Sequence, residues 1–275
     1  MQSSNPVFSR NDAFNGKGGT TYADFDQPTY GGPSTHTGSG TGRMTIDSVV
    51  QKTGVTLGVV VLAAAATWIL TGNIFGEDGQ VDTDVTSVLY TLSIVGALGG
   101  FALSMVNSFK KVVSPALVLA YAAFQGVAVG AFSKVMEATF GDGLVVGAVL
   151  GTVAAVAGTL TAYKVFDIQV GSKFRKWVIG MMFGFVAVTL LDVVLGMFNA
   201  EIGFNGFGPL GLLMSVVGLA IGVLMLILDF DFVEKGVAAG LPERESWRAA
   251  FGLTVTIIWI YIELLRILAI LRGND

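Results

Sequence analysis

Seven apolar stretches of about twenty residues or more, each closed by a short polar segment, constrain this chain more than any other feature. A helix needs about 20 predominantly apolar residues to cross the hydrocarbon core of a bilayer. The stretches near 54–75, 85–107, 113–136, 143–166, 176–198, 208–233 and 248–271 each reach that length. In lipid every backbone polar group must be satisfied within its own segment, so such stretches can only be helices. The expectation is an all-α integral membrane protein with seven transmembrane helices. Composition agrees: 53% of residues are hydrophobic and only 13% charged, about half the charge of an ordinary soluble domain. Residues 1–43 differ from the rest. They are rich in Gly, Ser, Thr and Asn without helical or strand period, and read as a disordered cytoplasmic tail with too little apolar surface to offset chain entropy.

The connections alternate in charge. The tail carries Arg10, Lys17 and Arg43, and Lys52 follows before the first apolar run. GEDGQVDTD, EATFGDG and NAEIGFNGFGP contain no Lys or Arg, whereas the segments between them hold Lys110 and Lys111, then Lys164, Lys173, Arg175 and Lys176, then Lys235, Arg244 and Arg248. By the positive-inside rule the basic connections are cytoplasmic and the acidic ones lie outside. The N-terminus is then cytoplasmic and the C-terminus extracytoplasmic, with a re-entrant last helix as the alternative that Arg272 leaves open. Small residues recur at four-residue spacing, as in Gly126 and Gly130, Gly143, Gly147 and Gly151, Gly180 and Gly184, and Gly218 and Gly222. That spacing lets helix backbones approach closely.

Several function classes are excluded or weakened. The chain has no cysteine, and its one histidine, His36, lies in the tail. Thiol chemistry is therefore absent, and metal or serine chemistry lacks its usual base. An intramembrane aspartyl protease would need a GxGD turn, but Asp192 stands in LLDVVLG. The expectation is no enzyme, no cofactor and no nucleic-acid partner, with the lipid bilayer as the obligatory environment.

Ionisable residues inside a span are functional candidates by default, because an ionised carboxylate there is costly. Asp229 in LILDFDFVEKG lies six residues before Lys235, roughly 9 Å inside the basic end. Asp231 stands four residues before Lys235, the spacing of an ion pair, and points to another face. Asp192 and Glu263 each lie about 23 Å from the basic end, and are expected to share a layer. Arg266, three residues beyond Glu263, is placed to pair with it, and for Asp192, Glu263 and Arg266 a structural network is as open a reading as an ion path. Gln125 falls near the middle of the third span.

Three stretches carry a resemblance: SPALVLAYAAFQGVAVGAFSK in the third span, LILDFDFVEKG closing the sixth, and LTVTIIWIYIELLRILAILRGND at the end. Together, over roughly 44–275, the chain resembles the Bax inhibitor family, also called the transmembrane Bax inhibitor motif family, in the form of a bacterial member. The resemblance implies a bundle with the last helix central and surrounded by the other six. It also implies a pH-sensitive calcium leak, sensed by two carboxylates on the sixth and seventh helices that share a proton. Asp229 matches the first of them. The second position falls on Thr256, which at about 12 Å from the basic end is level with Asp229, while Glu263 lies two turns further along the same face. Gln125 occupies a place where many members carry glutamate. The candidate ion path or pH gate is therefore Asp229, Thr256, Glu263, Asp192, Gln125 and Arg266, with calcium and protons as permeant or regulatory ions in a bacterial plasma membrane. The competing expectation is a non-transporting membrane regulator, for instance a modulator of a membrane-bound protease.

Overall fold

The computed structural model describes residues 42–76 and 80–273. Its architecture is seven helices: α1 (Ile46–Leu70), α2 (Thr83–Phe109), α3 (Pro115–Phe140), α4 (Leu144–Val165), α5 (Ser172–Gly196), α6 (Pro209–Ala238) and α7 (Glu245–Gly273). All seven are long and apolar enough to cross a membrane. The chain is thus an all-α, multi-pass bundle of the expected kind. Among the described residues the only extended pairings are single bridges, Arg43 with Pro242 and Phe75 with Val81.

The helix ends follow local chemistry. Thr45 and Ser48 exchange reciprocal hydrogen bonds in a capping box, so α1 begins eight residues before the apolar stretch that announces it. Its polar first turns extend beyond the apolar run. At the other end Gly72, at φ +68°, ends the helix in a left-handed turn that other residues rarely adopt. Asp82 caps α2 by accepting from the amides of Asp84 and Val85, and Pro115 and Pro209 open α3 and α6, where no amide is needed. The expected tail lies outside the described residues except for its last two. Those two are part of the fold: the Gly42 carbonyl accepts from Glu243 N at 2.8 Å, next to the bond from Met44 N to Leu241 O at 2.7 Å. Met44 itself is buried against α6.

The last helix is central. In its apolar window 56% of residues are buried, against 17% for α2 and α5. It packs closely against α1, α3, α4 and α6, not all six others; the α2 backbone lies against α3, and that of α5 against α6. The α5 helix reaches the centre through Phe185, whose ring meets Trp259 at 5.4 Å. The basic connections gather at one end of the bundle, where Arg248 donates to the carbonyls of Lys110 and Lys111 and Lys52 pairs with Glu243. At the opposite end Arg272 donates to the carbonyls of Gly141 and Asp142. The alternating charge of the connections thus corresponds to two chemically distinct ends.

Candidate functional site

Asp229 and Thr256 meet. The Thr256 hydroxyl donates to Oδ2 of Asp229 at 2.6 Å, joining α6 to the central helix. The pairing depends on Gly252, one turn before Thr256 on α7: a Cβ there would stand 3.3 Å from Oδ1 of Asp229. A cavity of about 660 Å³ opens beside the pair at the basic end, with Asn107, Lys110, Lys111, Asp229, Arg248 and Gly252 among its lining residues. Hence the carboxylate is the inner wall of a basic vestibule.

Glu263 occupies a second layer. It sits seven residues along α7 from Thr256, roughly 10 Å, and pairs with Arg266 at 3.6 Å. Its carboxylate lies over Gly218 of α6, where a Cβ would come within 2.7 Å of Oε1. The Trp259 indole donates to the Gly218 carbonyl at 3.0 Å, so small residues on α6 admit both bulky side chains. Between the two layers lie Leu226 and Ile260, both fully buried. The layers are separated by packed hydrocarbon.

Asp192 does not share the Glu263 layer as a free carboxylate. Its Oδ1 accepts from the amides of Ile202 and Gly203, at 2.8 and 3.1 Å, and Oδ2 accepts from Asn205 N at 2.8 Å. Asn205 returns its own amide to the Thr189 carbonyl. Buried backbone N–H groups need acceptors, and the α5–α6 loop obtains them from this one side chain. Residue counting along the helix cannot reveal that the loop folds back over it. Arg266 is tied to the same loop through the Phe204 carbonyl at 3.3 Å. The amide oxygen of Gln125 lies against Gly100 of the neighbouring α2, where a Cβ would come within 2.6 Å, on a helix whose backbone does not pack on α7. Asp231 behaves as its spacing indicates, pairing with Lys235 at 2.6 Å and with Arg175 at 2.9 Å.

Sequence reasoning missed three groups. Lys134 of α3 is buried and donates to the Trp68 carbonyl at 2.7 Å, to the Thr71 hydroxyl at 2.9 Å and to the Gly72 carbonyl. It thereby satisfies the exposed carbonyl end of α1. Glu137, one turn on, accepts from the amides of Gly143 and Val145, at 2.6 and 2.7 Å, at the start of α4. Asn107 lies in NSFKK, a segment read only for its lysines; it is 4% exposed and lines the vestibule. An ionisable residue within the third apolar stretch was the available signal for Lys134. Nothing in sequence pointed to Asn107.

Among the described residues no group of three acidic or histidine side chains converges as a metal cage. No curated protein matches the chain. The family model described as Bax inhibitor 1 like matches residues 5–273, taking in most of the N-terminal segment that the resemblance had left out. With seven helices long and apolar enough to span a membrane, the last of them central, and a match over nearly its whole length, the chain belongs to the Bax inhibitor 1 like family.

Proposed function

We propose that the protein is a cation leak, with calcium as the ion and protons as its regulator. The observation that carries this reading is the bond between Asp229 and Thr256, on the wall of a cavity entered from the basic end. Thr256 does not titrate, so Asp229 is the one member of the pair that can gain or lose a proton. The pair sits where α6 meets the central helix, so breaking or making its hydrogen bond bears directly on the packing of Leu226 against the α7 layer at Ile260. Separation there would connect the Asp229 layer to the Glu263–Arg266 layer, and the arrangement described is the closed one. The protein is on this reading no enzyme and needs no cofactor. It would reside in a bacterial plasma membrane with its N-terminus cytoplasmic and its C-terminus outside.

The test is calcium entry into liposomes holding the purified protein, stepped through pH, with Asp229→Asn beside wild type. Wild type should pass calcium above empty liposomes in a pH-dependent manner, and Asp229→Asn should flatten that dependence. No flux in wild type at any pH would remove the leak and leave the non-transporting regulator, such as a modulator of a membrane protease, in its place. Unaltered pH dependence in Asp229→Asn would remove the role given to the pair.

A further inference from the structure

The vestibule beside Asp229 has an electrostatic character that a cation route does not explain. Three of its lining residues are cationic, Lys110, Lys111 and Arg248, against the single carboxylate of Asp229. Arg248 is fixed in place by the carbonyls of Lys110 and Lys111 and by Glu245 at 3.3 Å. The lysines make no ion pair within 4.0 Å among the described residues. At the same wall stands Asn107. Its side chain is 4% exposed, and neither its amide nitrogen nor its amide oxygen has a hydrogen-bond partner among the described residues. Buried polar side-chain atoms nearly always find a partner. A buried amide without a protein partner, in one cavity wall with two lysines that make no ion pair, suits a ligand with acceptor oxygens and negative charge.

We propose that this vestibule binds the phosphate group of an anionic phospholipid, held by Lys110, Lys111 and the Asn107 amide. A lipid is favoured over free phosphate by the other walls. Phe109, Val113 and Phe232 line the same cavity, and Phe109 is 79% exposed next to Lys110, where acyl chains would be its natural neighbours. Clustered basic residues at the end of a transmembrane helix, with an apolar surround, are suited to an anionic headgroup. The site differs from diffuse charge at the same end of the bundle. Lys173 and Lys176 line a separate cavity of about 430 Å³ with Trp177, Gly180 and Met181, and no buried unpaired amide is among its lining residues. The proposal does not rest on the cation-leak reading, and its test needs no flux.

The test measures thermal unfolding of the detergent-purified full chain by tryptophan fluorescence, during titration with dihexanoyl phosphatidylglycerol. A ligand that binds only the folded state raises the midpoint saturably with its concentration. Wild type should show that rise, and inorganic phosphate at the same concentrations should not. Lys110→Gln with Lys111→Gln should weaken the apparent affinity at least tenfold, and Asn107→Leu about tenfold, as expected for a hydrogen bond to a charged group. Asn107→Asp, which keeps size and polarity but adds negative charge, should abolish the rise. Lys173→Gln with Lys176→Gln should leave it unchanged. The proposal is overturned if wild type shows no saturable rise, or if inorganic phosphate reproduces it. Equal weakening by the two lysine pairs would reduce the effect to surface charge and overturn it as well, as would undiminished affinity in Asn107→Leu.

Discussion

Replacing glycine by alanine in this bundle should have opposite effects at positions that look alike in sequence. Gly126 and Gly130 on α3 face α1. A Cβ at Gly126 would stand 2.5 Å from the Val60 carbonyl oxygen, and one at Gly130 would stand 2.6 Å from Cα of Ala64. Ordinary contact begins at 3.4 Å, so α1 and α3 would have to part by about 0.8 Å, enough to forfeit a quarter to a half of each dispersion contact along the seam. Overpacking of this kind costs about 1–3 kcal/mol. The better helix propensity of alanine returns about 0.5–1 kcal/mol, which leaves a net loss near 1–2 kcal/mol for each single variant. The double variant should lose less than twice that, because the first separation makes room for the second methyl. Gly180 and Gly184 on α5 have the same spacing, yet a Cβ at either meets nothing within 4 Å. Alanine there should be neutral or stabilising by up to about 1 kcal/mol. Equilibrium unfolding in mixed detergent, followed by tryptophan fluorescence, can resolve a difference of about 2 kcal/mol, roughly thirtyfold in the folded ratio. If Gly180→Ala and Gly184→Ala destabilised as much as the α3 pair, the exposed stripe of α5 would have to be packed against another surface, and the reasoning would fail.

Further variants test Asp192 and Lys134, two groups whose partners the sequence does not disclose. Asp192→Asn should retain acceptance from Ile202 and Gly203 while turning its amide toward the Asn205 N–H, and Asp192→Ala should lose all three bonds. The unfolding midpoint should therefore fall in the order wild type, Asn, Ala, whereas an ion-path role alone would change flux and leave the midpoint in place. Lys134→Met should destabilise by about 3 kcal/mol, on the scale of one or two lost hydrogen bonds to a charged donor. Thr71→Val should cost less, and a Lys134→Met midpoint equal to wild type would show that the α1 carbonyls find other partners.

What the sequence disclosed, and what it withheld, follows from the range of the interactions involved. Helix count and the separation into basic and acidic ends rest on local properties: apolar length and the charge of short connections. Both are legible residue by residue. The level of Asp229 with Thr256 was legible too, because depth in a helix is arithmetic along one axis, and the structure joins them at 2.6 Å. Depth leaves the direction of a side chain around that axis open. Gln125 falls mid-span, where a cation site and a bond to a neighbouring helix are equally open, and its amide oxygen lies against Gly100 of α2. Gly180 and Gly184 share the spacing of Gly126 and Gly130, but a Cβ at either would meet no atom within 4 Å. Asp192 stands inside an apolar stretch as well, yet a loop ten to thirteen residues onward folds back to use it. An intramembrane carboxylate can therefore be retained for two different reasons. Asp192 is fully occupied by backbone amides and holds a loop at the end opposite the vestibule. Asp229 receives one hydroxyl bond, from Thr256, and lines an open cavity. A carboxylate whose acceptor sites are filled by fixed N–H groups cannot release them to take an ion without unfolding the loop it supports. One held by a single hydroxyl can exchange that bond for water, a proton or a cation at the cost of one rotamer, and this difference in occupancy singles out Asp229 between the two acids.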